Sequence, residues 1–303
     1  MARVFSCLTI SLFVVGGGLL AAPDASTMQI GWERSPELPE ARAGAFAGVD
    51  SRTQIVAGGV SKTGELSDVV FVLELGADQW VQAGTIARPR ADGVTVTVDT
   101  YGVIMVGGRE QGGYTNAVES LRWSGDAVQV TSLPDFPEPA AFQSGAALGS
   151  AVYIAGGRRF SNEPSVSGAV WRLDLAQPES ERGWESVSSW PGVPRVLAVA
   201  GVQDGALFLF GGETDVTGGN ALRDAFRYSP TSGWSRVADL PFPMRARSAA
   251  AIGSTHLVVV DVVTESEETA VLAYETVTDT WRTTPTSRPA RSAASVVKWR
   301  RGG

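Results

Sequence analysis

An apolar run closed by two glycines recurs along the chain: Ile55-Val56-Ala57-Gly58-Gly59, Ile104-Met105-Val106-Gly107-Gly108, Tyr153-Ile154-Ala155-Gly156-Gly157 and Phe208-Leu209-Phe210-Gly211-Gly212. A fifth copy, Val258-Val259-Val260-Asp261-Val262, keeps the apolar run and has lost both glycines. Taking Gly58, Gly107, Gly156, Gly211 and Asp261 as landmarks, the spacings are 49, 49, 55 and 50 residues. A period of this size marks a repeat architecture, in which each unit buries its apolar faces only against its neighbours.

Tryptophan keeps the same phase. Trp32, Trp80, Trp184, Trp234 and Trp281 each precede a proline-containing turn, and Val128 holds the position between Trp80 and Trp184. Between glycine pair and tryptophan lies another strand, such as Val69–Leu73 or Asp224–Tyr228, and a small-residue strand precedes each landmark, such as Ala43–Gly48 or Leu197–Gly201. Four short strands per repeat, with no helical periodicity, describe one blade of a β-propeller. Small residues on the first strand suit a crowded central channel. The glycine pair supplies backbone freedom, and the tryptophan a large area to bury between blades.

Five repeats are complete, running from Glu37 to Thr286. Ile30-Gly31-Trp32-Glu33 reads as an outermost strand, and Ser292–Lys298 as an innermost one. Propellers protect their sheet edges by building one blade from both chain ends. The expectation is an all-β, six-bladed propeller whose closing blade is shared by the two ends. That blade lacks its middle strands, because the sequence ends at Gly303 shortly after Trp299.

Ahead of the repeats, Arg3 is followed by an apolar stretch from Val4 to Ala22 that ends in small residues. This is the layout of a secretory signal, so residues 1–25 are read as a signal peptide and 26–303 as the propeller. The expected location is periplasmic or secreted. Cys7, the sole cysteine, lies inside that stretch, which leaves burial and strand pairing to hold the exported chain together. A formal charge of −7 and a pI near 4.9 disfavour nucleic acid or an anionic membrane as partner.

The residue inventory also narrows the chemistry. His256 is the only histidine and opens an apolar strand, so a structural role is expected of it. Copper, zinc and triad chemistries lack their ligands or partners, and no metal or cofactor is expected. Arginine recurs ahead of the first strand: Arg42, Arg90, Arg195, Arg245 and Arg291, the first four preceding their landmarks by 16, 17, 16 and 16 residues. Only the third repeat breaks the series, with Ala140. Arginines converging on a channel would make an anion site, since a guanidinium grips a carboxylate with two parallel hydrogen bonds. The alternative is that each arginine bonds turn carbonyls as part of the repeat.

The Gly-Gly, aromatic and Trp pattern resembles the kelch family over nearly all of residues 26–303. Within it, Leu38-Pro39-Glu40-Ala41-Arg42-Ala43-Gly44, Pro194–Val199 and Leu222–Tyr228 are similar to the cyclically permuted mutarotases, the group of N-acetylneuraminate epimerase. That resemblance implies interconversion of sialic acid anomers outside the cytoplasm, without cofactor. The substrate implied is a small sugar acid whose carboxylate sits on the anomeric carbon. Glu213 and Arg195 are then the expected catalytic residues, with Asp92 and Glu110 as further carboxylates, and Arg42, Arg90, Arg245 and Arg291 would bind substrate. The family's Gly-Glu motif with a following Pro-Gly and Arg would fall after Ser292, and Gly212-Glu213 is not that motif. The second expectation is a non-catalytic propeller that binds a carbohydrate or a partner protein.

Overall fold

A computed structural model describes residues 35–159, 165–243, 248–252, 254–263 and 269–284. The expected signal peptide, the strands expected around Trp32 and Ser292, and Arg245 and Arg291 lie outside these residues.

Five four-stranded antiparallel sheets follow one another along the chain. Blade one contains β1 (Phe46–Asp50), β2 (Thr53–Ala57), β3 (Val69–Glu74) and β4 (Val81–Thr85). Blade two has β5 (Val94–Val98), β6 (Gly102–Val106), β9 (Val118–Trp123) and β10 (Val128–Ser132), with the hairpin β7 (Arg109–Glu110) and β8 (Gly113–Tyr114) inserted between its second and third strands. A short sheet of β11 (Ala140–Ala141), β14 (Arg158–Arg159) and β15 (Ser165–Val166) caps blade three, which is β12 (Ser144–Leu148), β13 (Ala151–Ala155), β16 (Val170–Asp174) and β17 (Trp184–Val187). Blade four is β18 (Val199–Gln203), β19 (Ala206–Phe210), β20 (Ala225–Ser229) and β21 (Gly233–Val237). Blade five is β22 (Ser248–Ile252), β23 (His256–Val263), β24 (Thr269–Glu275) and β25 (Thr280–Thr284).

The innermost strands β1, β5, β12, β18 and β22 pack side by side in that order. They enclose a channel of about 360 Å3 lined by residues such as Ala47, Gly48, Thr95, Gly145, Ala146 and Gly201. The second strands β2, β6, β13 and β19 are buried at every position. This is why they read as unbroken apolar runs: a sheet covered on both faces has no polar side to alternate with. The core lies between blades. Ile55 and Val70 of blade one pack with Val103, Met105 and Leu121 of blade two, and Phe208 and Phe210 of blade four with Leu257, Leu272 and Tyr274 of blade five. Each such side chain contributes about 1.5–3 kcal/mol on burial.

The tryptophans bury area between blades and also staple them. Trp184 Nε1 donates to the Pro134 carbonyl at 2.9 Å, Trp234 Nε1 to Ser188 at 2.7 Å and Trp281 Nε1 to Ala238 at 2.8 Å. Each acceptor lies in the link leaving the preceding blade. Trp80 makes the matching bond to Pro36 at 3.0 Å. In blade two the aromatic has moved across the ladder. Trp123 pairs with Val128, and its Nε1 donates to Glu74 Oε1 at 2.7 Å.

The glycine pair is a junction between blades. Gly156 and Gly157 take φ of +67° and +96°, and Gly157 N–H donates to the Arg195 carbonyl of the next blade at 2.9 Å. A Cβ on Gly156 would collide with that same carbonyl oxygen. Gly58-Gly59 and Gly107-Gly108 repeat the arrangement against Arg90 and Ala140. Blade five shows what happens without the glycines. There β23 runs on through Asp261 to Val263, with an irregularity between Val259 and Val262.

The first strands begin later than the small-residue runs suggest, β1 at Phe46 and β18 at Val199. Gly44 and Leu197 hold left-handed backbone, φ +62° and +55°, and end the link that precedes each strand. His256 opens β23, half-buried, with its Nδ1 2.9 Å from Thr255 Oγ1.

Candidate functional site at the channel mouth

In blades one to four the first strand starts, and the second ends, at the same edge of the sheet: Phe46 pairs with Ala57, Val94 with Val106, Ser144 with Ala155 and Val199 with Phe210. The links between blades and the loops after the glycine pairs therefore share one face, at one end of the channel.

A backbone collar runs along that mouth over blades one to four. Asp92 N–H donates to Gly44 O at 2.8 Å, Phe142 to Asp92 at 2.8 Å and Leu197 to Phe142 at 3.1 Å, one blade to the next. All four residues hold φ between +55° and +62°. The residues that follow them, Ala45, Gly93, Gln143 and Ala198, line the top of the channel.

Of the recurring arginines, the three among the described residues are buried. Arg195 is 1% exposed and makes two 2.7 Å hydrogen bonds to the carboxylate of Asp224. Its Nη1 also donates to Gly211 O at 3.0 Å, and its plane lies 5.4 Å from the Trp190 ring and 5.3 Å from that of Phe226. Arg90, also 1% exposed, pairs with Glu119 at 2.9 Å beside the Phe46 ring. Burial lowers the affinity of its guanidinium for the proton, and the charge of Glu119 counters the effect. Arg42, buried too, donates to Glu40 at 2.7 Å. None of the three lines the channel. Their register is that of the junction, where the carbonyls of Arg90, Ala140 and Arg195 receive the second glycine's N–H. Long side chains anchored at such links pack inward.

The residue after the glycine pair is charged in blades two to four. Val60, Arg109, Arg158 and Glu213 each bridge the residue just before the collar: Ala43, Ala91, Ala141 and Val196. They occupy one register position on four successive blades. Arg109 donates through Nε and Nη2 to Asp92 Oδ2 at 3.2 and 3.0 Å, and its side chain is 42% exposed. Arg158 lies 3.6 Å from Asp215 of blade four and is 21% exposed. Glu213 is buried at 4%, its backbone held to Val196 by bonds of 2.9 and 2.8 Å in both directions. Glu110 stands further out, 3.7 Å from the exposed Arg88.

Of the expected site residues, Asp92 belongs to the collar and Glu213 pairs with Val196 just before it, whereas Arg42, Arg90 and Arg195 are buried at the blade junctions. Arg109 and Arg158 were missed. Their signal was present, since each directly follows a glycine pair already used as a landmark. Arg109, Arg158 and Glu213 share one register position beside the collar, outside the channel lining itself; a partly exposed guanidinium can hold an anion and a carboxylate can move a proton.

No family model matches the chain. It is similar to the N-acetylneuraminate epimerase of Pasteurella multocida (strain Pm70), 30% identical over 115 residues, which is 37% of this chain and 28% of that protein. N-acetylneuraminate epimerase 1 of Escherichia coli O6:H1 matches at 28% over 138 residues, 45% of this chain and 35% of that one. The matched stretches therefore span about a third of the curated relatives' length. The solved structure of YjhT superposes with a TM-score of 0.73 at 13% identity, covering 93% of this chain and 97% of that one. The chain is a kelch-like propeller that resembles the N-acetylneuraminate epimerases. Its five four-stranded sheets are consistent with the expected architecture, and the residues expected to form a sixth blade lie outside those described.

Proposed function

We propose that the protein interconverts the anomers of sialic acid or a closely related sugar acid at the channel mouth. The observation that carries this reading is the shared register of Arg109, Arg158 and Glu213 on consecutive blades. The epimerase relatives support the substrate class.

Mutarotation needs a proton removed from the anomeric hydroxyl and one delivered to the ring oxygen. The bond between anomeric carbon and ring oxygen breaks, a carbonyl forms, and reclosure on the other face reverses each transfer. Glu213 is assigned the acid/base role, a step for which a positioned carboxylate supplies about 10²–10⁴-fold. Arg158 and Arg109 grip the substrate carboxylate and orient the anomeric carbon. Arg195 acts as a positioning residue. Its bond to Gly211 O and the pairing of Val196 with Glu213 fix the loop that carries the acid. Residues 1–25 act as an export signal in this reading, and the mass of the mature chain from its native host tests that cleavage.

Following freshly released N-acetylneuraminate by NMR tests the activity. Folded full-length protein should speed anomer exchange, and Glu213→Gln should lower the rate about 10²–10⁴-fold. A rate no faster than buffer ends the enzymatic reading. Saturable sugar binding without rate enhancement would leave a binding propeller.

A further inference from the structure

The innermost strands pair with their neighbours in one register, so their residues can be compared position by position. The second residue is Ala47, Gly145, Ala200 and Ala249 in blades one, three, four and five, but Thr95 in blade two. The fourth is Val49, Ala147 and Val202 in blades one, three and four, but Thr97 in blade two. Two residues apart on one strand, Thr95 and Thr97 share a face and stand roughly 7 Å from each other. Both line the channel, Thr95 half-buried and Thr97 exposed. Among the described residues, no hydrogen bond within the protein engages either hydroxyl.

The wall on which they stand leads up to a charged group. Asp92 is the collar residue of blade two, three positions before Thr95. Its carboxylate lies over Gly44 of blade one, where a Cβ would collide with Oδ1, and its Oδ2 receives both hydrogen bonds of Arg109. Thr97 Oγ1 lies over Gly48 of the same blade, 3.1 Å from where a Cβ would stand. Ala45 and Ala47, between those two glycines, line the channel. Guanidinium, carboxylate and two hydroxyls thus follow one seam between blades one and two, from the collar down into the channel. Apolar side chains satisfy the packing at these positions in the other blades. A threonine hydroxyl adds a group that both donates and accepts.

We propose that this seam binds a polyhydroxylated chain, and that the hydroxylated side chain of the sugar acid enters the channel there. Thr95 and Thr97 exchange hydrogen bonds with its hydroxyls while the substrate carboxylate meets Arg109 at the collar. The channel volume of about 360 Å3 falls within the range of small-molecule sites, and a few polar groups on an otherwise apolar lining are their ordinary make-up. The seam then selects sugar acids by their side chain. It deepens the proposed function and rests on it for the identity of the sugar.

Calorimetry on the full chain tests it, with N-acetylneuraminate and an analogue in which hydrogen replaces the hydroxylated side chain. Thr95→Val and Thr97→Val keep a β-branched shape suited to a strand and remove one hydroxyl each. Each should weaken N-acetylneuraminate about three- to tenfold and leave the analogue within about twofold of the parent. Thr95→Ser, which keeps the hydroxyl, should bind both as the parent does. Circular dichroism confirms that each variant folds.

N-acetylneuraminate binding within about twofold of the parent in both valine variants overturns the seam, as does equal weakening of the two ligands or a parent that binds neither. If the parent speeds anomer exchange and the valine variants keep its KM, the seam falls and the function stands. If the valine variants separate the two ligands but the parent does not speed exchange, the function falls and the seam stands.

Discussion

Two sets of arginines meet acids in this protein, and their surroundings separate their roles. Arg90 and Arg195 are sealed between blades with Glu119 and Asp224, each beside aromatic rings. Arg109 and Arg158 stand at the channel mouth with Asp92 and Asp215, partly in water. A buried charge cannot lose its partner without a large penalty, whereas a wetted one can exchange its partner for a ligand. The first set holds the ring together. The second keeps access to water, and in the proposed function it exchanges its acidic partner for the substrate carboxylate.

The contrast breaks or sharpens under substitution. Asp224→Ala strands the Arg195 guanidinium inside the blade and should cost about 3–5 kcal/mol in denaturant unfolding. Asp215→Ala, beside Arg158, should cost under about 1 kcal/mol; equal losses would erase the distinction. Next comes Gly156→Ala, which collides with the Arg195 carbonyl as well as straining a positive φ, at about 2–4 kcal/mol. Gly149 has the same backbone hand at φ +64° but open space around it, so Gly149→Ala should cost only about 1–2 kcal/mol. Trp234→Phe removes one staple to Ser188 and should lower stability by about 0.5–1.5 kcal/mol. Smallest in stability is Arg158→Met, within about 0.5 kcal/mol, while the KM for the sugar acid rises.

Repeat length, strand count and the glycine landmarks were legible because each obeys a local rule: period-two or continuous burial, positive φ, and a large side chain recurring in phase. The arginine series was legible too, but its direction was not. Whether Arg195 faces a channel or Asp224 depends on a carboxylate 29 residues away and on two aromatic rings brought in by packing. Arg109 and Arg158 were overlooked for the converse reason. As single residues after a turn they show no period of their own, since the same register holds Val60 and Glu213 in the neighbouring repeats.

The recurrence of Gly-Gly, aromatic and Trp alone was enough to require four-stranded blades arranged about a common axis. It carries that information because every unit must bury its faces against a copy of itself. Which charged groups end at the mouth was decided only when the blades closed on one another. Neighbouring links then swallowed one set of arginines, and the collar held the other at the water's edge.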